Sequence, residues 1–189
     1  MMILASASPR RRELLAYSVS SFEVHPADVG EIVPQNITPE ETAEYLAVKK
    51  AKAVEKANPY DDIIAADTVV ILGNEIMGKP RNINHAREML RKLSGKTHKV
   101  ITGVCVCSRG RTESFSECTE VTFYDLTDSE IEAYVQSGDP MDKAGAYGIQ
   151  SPGGTLLVKE IKGDFFNVVG LPVARLHRLL VKMAVISGK

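Results

Sequence analysis

Cysteine is scarce in this 189-residue chain: Cys105, Cys107 and Cys118 are too few and wrongly spaced for a disulfide framework or a paired-cysteine metal site. An odd count of this kind fits a reducing compartment. Cys105 and Cys107 alternate in Val104-Cys105-Val106-Cys107, so a strand would put both on one face as small packing residues rather than as a redox or metal pair. The four histidines, His25, His85, His98 and His177, form no zinc pattern. Neither sign of charge dominates, with 23 Lys+Arg against 24 Asp+Glu, so no global basic field exists to hold a nucleic-acid backbone. No apolar run approaches a membrane span. The opening Met1 to Ser6 is too short for a signal peptide before Arg10-Arg11-Arg12 interrupts it, and a cytoplasmic location is expected. There is no internal repeat, low-complexity tract, Gly-x-Ser-x-Gly elbow or dinucleotide fingerprint. Gly73-Asn-Glu-Ile-Met-Gly78-Lys79-Pro80 nearly matches a Walker A loop, but Pro80 has neither the hydroxyl for Mg²⁺ nor a backbone N–H, which excludes a P-loop.

What is present is ordinary globular composition, 44% hydrophobic and 25% charged, sufficient to bury a core without covalent staples. Met2 to Ala5 reads as a buried strand, followed by a small-residue loop and a helix from Arg10 to Tyr17. Phe22 to His25 reads as a short strand and Asp28 to Asn36 as loop. Thr38-Pro39-Glu40-Glu41 has the pattern of a capping box, opening a helix that runs to about Ala57. Asp62 to Leu72 is the strongest strand, apolar enough to be covered on both faces. A helix over Ile83–Leu93 closes at Gly95, and two strands, Thr97–Ser108 and Glu113–Tyr124, pair around Arg109-Gly110. Thr127-Asp-Ser-Glu130 is a second capping box, for a helix that stops at Gly138. Asp142 to Gly154 reads as an ordered loop, Thr155 to Ile161 as a strand and Leu171 to Ile186 as an amphipathic terminal helix. The expected fold is mixed α/β, a twisted sheet flanked by helices in a single domain over residues 1–189.

Asp67 is the first candidate for chemistry. It interrupts the apolar strand Ile63-Ile-Ala-Ala-Asp67-Thr68-Val-Val, and an isolated buried carboxylate needs a metal, a cation or strong donors. The alternative is an Asp bonded to backbone N–H groups at a strand bend; metal or proton chemistry is the stronger reading. Thr68 beside it could bond a substrate. Ser6-Ala7-Ser8-Pro9-Arg10-Arg11-Arg12 combines hydroxyls, a helix start and guanidinium groups suited to phosphate, although alone it reads as a capped helix with solvated arginines. Lys79 could present a cation from its Gly-Lys-Pro turn, and Glu31, Glu40 and Glu41 are candidate metal partners for Asp67, the last two equally explained by capping. The 142–150 loop, Asp-Lys-Ala-Gly-Ala-Tyr-Gly-Ile-Gln, combines close-approach glycines with a terminal amide that could read a base edge.

Taken together, Leu4-Ala-Ser-Ala-Ser-Pro-Arg-Arg, Ala66-Asp-Thr-Val-Val, Gly78-Lys-Pro, Asp142-Lys-Ala-Gly-Ala-Tyr-Gly-Ile-Gln and Phe166-Asn-Val-Val-Gly-Leu-Pro resemble the Maf family of nucleoside triphosphate pyrophosphatases. Five segments in family order are far more specific than any one, and they turn the arginine loop into a substrate candidate. The resemblance implies hydrolysis between the α- and β-phosphates, a divalent cation (Mg²⁺ or Mn²⁺), and a two-lobed α/β fold with a long cleft, related to the inosine triphosphatases. It implies that Asp67 accepts a proton, that Lys52 and Lys79 act with it in catalysis, and that Ser8, Arg10 and Glu31 line the polar cleft. Glu31 and Asp67 would hold the metal, while Arg11, Thr68 and Gln150 match the specificity positions of the dTTP/UTP branch. A nucleotide-pool house-cleaning role and a homodimer are the further expectations. The competing readings are a nucleotide-sensing or nucleic-acid-binding regulator of septum formation, and a purine triphosphate sanitiser.

Overall fold

Residues 62–66 are wholly aliphatic after the first position, and they form the buried start of the strand β3 (Asp62–Leu72), with Ile63, Ile64, Ala65 and Ala66 all at 0% exposure. Its parallel neighbour is β1 (Met2–Leu4), in register Met2 to Asp62 and Leu4 to Ile64, and β2 (Glu23–Val24) pairs parallel to β1 on the other side. Continuous apolar sequence with no polar face is what a doubly covered parallel strand requires. The computed structural model describes residues 1–187. Among them, seven strands form one mixed sheet in the order β2-β1-β3-β5-β6-β7, where β5 is Thr97–Ser108, β6 Arg111–Phe123 and β7 Val158–Lys162; β4 (Glu75–Met77) pairs antiparallel with β3. β5 and β6 are joined by Arg109 and Gly110, both at positive φ (48° and 74°), the two-residue turn that suits the right-handed twist of a hairpin. The mixed α/β class is as the sequence predicts.

The chain divides into two compact units. The first contains residues 1–67, 102–117 and the stretch from Gly170. Its core joins Ile3, Ala5, Ile63, Ala65, Cys105 and Cys107 to Ala47, Ala51 and Val54 of the helix α2 (Thr42–Ala57), so both cysteines serve as small packing groups. Alanines let the helix backbone sit close to the sheet. Gly103 of β5 also lets α2 approach: a Cβ there would fall 2.2 Å from the Glu44 backbone nitrogen. Hydroxyls of Ser114 and Ser116 donate to the Glu44 carboxylate at 2.6 and 2.8 Å, tying the first turn of α2 to β6. The unit also carries α1 (Pro9–Leu15) and the terminal helix.

The second unit contains residues 68–101 and 118–169. Its helices are α3 (Ile83–Leu93) and α4 (Asp128–Gln136), joined by a bidentate Arg87–Glu132 pair at 2.6 and 2.7 Å, then α5 (Pro152–Thr155) and α6 (Phe165–Val169). His98, Phe123 and Tyr147 pack edge-to-face, and His98 Nε2 lies 2.8 Å from the Tyr147 hydroxyl. The fully buried Asn167 donates from Nδ2 to Val100 O and Thr119 Oγ1.

Several boundaries differ from expectation for identifiable reasons. Thr38 and Glu41 do bond, through the Thr38 N–H and hydroxyl at 2.9 and 2.8 Å, but they close a turn, and α2 starts only at Thr42. Thr155 ends the short helix α5, so β7 begins at Val158 rather than Thr155. The terminal helix α7 covers Val173–Lys182, shorter than Leu171–Ile186: Pro172 sits before its first turn rather than within it, and Ala184 at φ 56° follows its end. The helix α6 was not anticipated. No helix among the described residues is long and apolar enough to cross a membrane.

Candidate active site

Asp67 closes the first unit's part of β3 with its side chain 12% exposed, and it is not bonded as a strand-bend aspartate. Its Oδ1 receives Lys50 Nζ at 2.5 Å, and the same ammonium reaches Glu31 Oε1 at 2.9 Å. Lys50 is itself only 14% exposed, while Glu31 remains 65% exposed at the rim. Burial works against the Lys50 charge, but the Asp67 carboxylate and the bonds to Asp67 and Glu31 outweigh it and hold the amine's pKa above the ordinary lysine value. The loop that carries Glu31 is fixed from the next residue of the helix: Lys49 Nζ donates to Gly30 O at 2.6 Å and to Ile32 O at 3.4 Å. Adjacent lysines of α2 therefore hold the backbone around Glu31 and its carboxylate separately.

The serine–arginine loop belongs to the same unit. Ser8 caps α1 by accepting the Arg11 N–H, and Pro9 occupies the first turn, where its missing N–H costs nothing. Ser6 Oγ accepts from Ser8 N and from Arg11 Nη1, both at 3.3 Å, and Arg11 Nε donates to Gly170 O at 2.9 Å. Burial is the largest influence on the Arg11 guanidinium and lowers its pKa; Asp67 acts in the opposite direction, with smaller effects from Arg10 and Glu31. Asp67, Glu31 and Arg10 thus all act on the Arg11 charge.

Lys52 is not in this cluster. Its Nζ meets Glu55 Oε2 at 2.8 Å and Thr112 Oγ1 at 2.6 Å, on an exposed face. Residues two apart on an α-helix point roughly 200° from each other, so Lys50 and Lys52 cannot both face Asp67. The sequence carried a signal for Lys50 that periodicity could have exposed: it lies three or four residues from Leu46, Ala47 and Val54, inside the buried stripe of α2. A lone cation in such a stripe needs a buried anion.

Thr68, Lys79 and Gln150 lie in the second unit. Thr68 lies on the same strand face as Val70, two residues on. The 143–150 loop packs against that side: a Cβ on Gly145 (φ 72°) would lie 3.0 Å from Val70 Cγ2. Gly145 N donates to Gly78 O at 3.1 Å, which brings the loop to the Gly78-Lys79-Pro80 turn. Ala146 follows at φ 59°, a left-handed conformation that alanine adopts at a cost of about 1 kcal/mol. Lys79 and Gln150 are both exposed. Glu40 is exposed, and Glu41 is engaged with Thr38.

The family model described as "Maf-like protein" matches residues 1–183. The chain belongs to the Maf family. Curated relatives include proteins named dTTP/UTP pyrophosphatase from Bacillus pumilus, 47% identical over 179 residues (95% of this chain and 94% of that protein), and from Bacillus cereus, 48% identical over 179 residues (95% and 93%). Among solved structures, a HAM1 protein from Coxiella burnetii aligns with a TM-score of 0.56 at 13% identity, covering 96% of this chain and 98% of that one. The Staphylococcus aureus Ham1 protein aligns with a TM-score of 0.53 at 16% identity, covering 83% and 79%. These two likenesses show a shared fold.

Proposed function

We propose that this Maf protein hydrolyses nucleoside triphosphates, dTTP and UTP foremost, to the nucleoside monophosphate and pyrophosphate, as a house-cleaning enzyme of the cytoplasmic nucleotide pool. The observation that carries the reading is the Lys50 ammonium held between the largely buried Asp67 carboxylate and the exposed Glu31 carboxylate. An ammonium that orients the carboxylate, with further cationic groups to bind anionic phosphate, brings a proton acceptor and an anion site together. The names of the Bacillus relatives supply the substrate class.

The cluster suits a divalent ion, Mg²⁺ or Mn²⁺. The Asp67 and Glu31 carboxylates already converge on one cation, the Lys50 ammonium, and hard oxygen donors of this charge are what such ions select. No group of three or more His, Cys, Asp or Glu side chains among the described residues is arranged to hold a metal. Two carboxylates completed by phosphate oxygens and water is a common Mg²⁺ arrangement. When bound, the ion would neutralise phosphate charge and acidify a bound water.

Asp67 accepts the proton of the attacking water as the bond between the α- and β-phosphates breaks, so that one triphosphate and one water give monophosphate, pyrophosphate and a proton. Lys50, rather than Lys52, is the lysine that acts with Asp67: its ammonium holds the carboxylate in place. Arg10 and Lys79 neutralise charge on the departing pyrophosphate, Ser8 orients phosphate, and Arg11, Thr68 and Gln150 select the base. The test is a panel of nucleoside triphosphates with Mg²⁺ or Mn²⁺, scored for pyrophosphate. Release from UTP and dTTP ahead of CTP, ATP and GTP, abolished by EDTA and restored by metal, is the expected result. Tight nucleotide binding without turnover, or a purine preference, would overturn it.

A further inference from the structure

Gln150 lies in a loop that is tied down on both sides, while its own side chain is exposed and engaged by no hydrogen bond among the described residues. Before it, the Gly148 N–H donates to the Tyr134 hydroxyl oxygen at 2.9 Å. After it, Ser151 Oγ lies 2.6 Å from Asp139 Oδ2 and 2.7 Å from Gly148 O. The two ties meet at one carboxylate, because the Tyr134 hydroxyl donates to the same Asp139 Oδ2 at 2.5 Å. Lys143 Nζ completes the group, donating to Asp139 Oδ1 at 2.9 Å. Burial raises the pKa of Asp139, but the bonds from Ser151, Tyr134 and Lys143 prevail and hold it below the ordinary carboxylate range. The carboxylate is therefore the anchor of the group and not an idle surface acid.

The packing is equally determined. A Cβ on Gly154 would lie 2.1 Å from Gly148 O, and one on Gly153 would lie 2.6 Å from the Tyr134 ring. Both glycines are needed so that the backbone on either side of Gln150 can close onto Tyr134 and onto itself. A loop held this tightly on both sides of an uncommitted amide is preorganised for recognition: its ordering is complete before a ligand arrives, so a base edge meets a fixed donor–acceptor pair.

We propose that Asp139 and Tyr134 are positioning residues for base selection, acting through Gln150 by fixing the backbone that presents its amide. This rests on the proposed reading of Gln150 as a base-recognition residue. Neither residue touches substrate. Both work at the level of specificity, leaving the proton chemistry at Asp67 unchanged.

The experiment compares the ratio of kcat/KM for UTP to that for CTP in wild type, Gln150→Ala, Tyr134→Phe, Asp139→Asn and the double variant Tyr134→Phe/Gln150→Ala. Tyr134→Phe keeps the ring against Gly153 and removes only the hydroxyl. Loss of one such bond should narrow the UTP:CTP ratio by about twofold to tenfold, through a raised KM for UTP with kcat within about twofold of wild type. The double variant should match Gln150→Ala alone, because Tyr134 acts through that residue. A merely structural role would instead lower kcat for both nucleotides and add to Gln150→Ala. If Gln150→Ala narrows the ratio while folded Tyr134→Phe and Asp139→Asn leave it unchanged, the positioning role is overturned and the base reading stands. If Gln150→Ala itself leaves the ratio unchanged, the base reading fails and the positioning role falls with it. Should Tyr134→Phe not fold, Asp139→Asn and its double variant with Gln150→Ala decide by the same comparison.

Discussion

Lys50→Met removes the ammonium that lies 2.5 Å from Asp67 and 2.9 Å from Glu31 while keeping a chain of similar length in the buried stripe of α2. The two members of the inner pair are 14% and 12% exposed, so the Asp67 charge would be left in a largely dry site. Taking one partner from a buried ion pair costs about 3–5 kcal/mol, and the aliphatic replacement and the nearby Arg11 charge place this case at the lower end, about 3 kcal/mol. Glu31, 65% exposed, adds little. In a protein of this size, 3 kcal/mol lowers Tm by roughly 6–12 °C. Lys52→Met is the control two residues away: its partners are at the surface, so its stability should change by about 0.5 kcal/mol or less. Urea unfolding at pH 7 measures both, and Lys50→Met/Asp67→Asn closes the cycle, since removing both charges should restore much of the lost stability. Pyrophosphate release should fall about a hundredfold or more in Lys50→Met and stay near wild type in Lys52→Met. Equal effects of the two substitutions, or a double variant no more stable than Lys50→Met, would refute the assignment.

Gly103→Ala should destabilise by about 1–3 kcal/mol in urea unfolding, because its Cβ would press on the Glu44 backbone nitrogen at 2.2 Å; wild-type stability would show that α2 is not seated as described. His98 is buried, which lowers its pKa from 6.5 to about 4. The folded state therefore resists protonating it, and the unfolded chain binds the extra proton as pH falls below 6.5. The associated stability is present above pH 6.5 and is lost towards pH 4, by up to about 3 kcal/mol. The pH dependence of unfolding across this window should flatten in His98→Gln, and an unchanged slope would remove His98 as its source.

Local chemistry made much of the fold legible. The Thr127–Glu130 box opens α4, a signal complete within four residues. The aliphatic run of β3 marked a doubly buried strand, and Asp67 stood out because nothing else in its buried segment is charged. Thr38 and Glu41 show the limit of such signals: their bonds form, but the backbone between them turns tightly and the helix waits for Thr42. Lys50 was overlooked for a different reason. The alanines of α2 defined its buried face, and a lysine within that face has meaning only beside Asp67, 17 residues later. The roles of Gly103, Gly153 and Gly154 were hidden for the same reason, since each is set by a neighbour that the fold supplies.

The central claim is that a reaction dependent on Asp67 releases pyrophosphate from a nucleoside triphosphate, and product analysis tests it most directly. UTP is incubated with metal and with wild-type or Asp67→Asn protein, both shown to be folded, and uridine nucleotides, pyrophosphate and orthophosphate are quantified over time. The prediction is UMP and pyrophosphate in equal amounts from wild type, with a loss of about a hundredfold or more in Asp67→Asn. UDP and orthophosphate as the first products, or near wild-type turnover by Asp67→Asn, would contradict it.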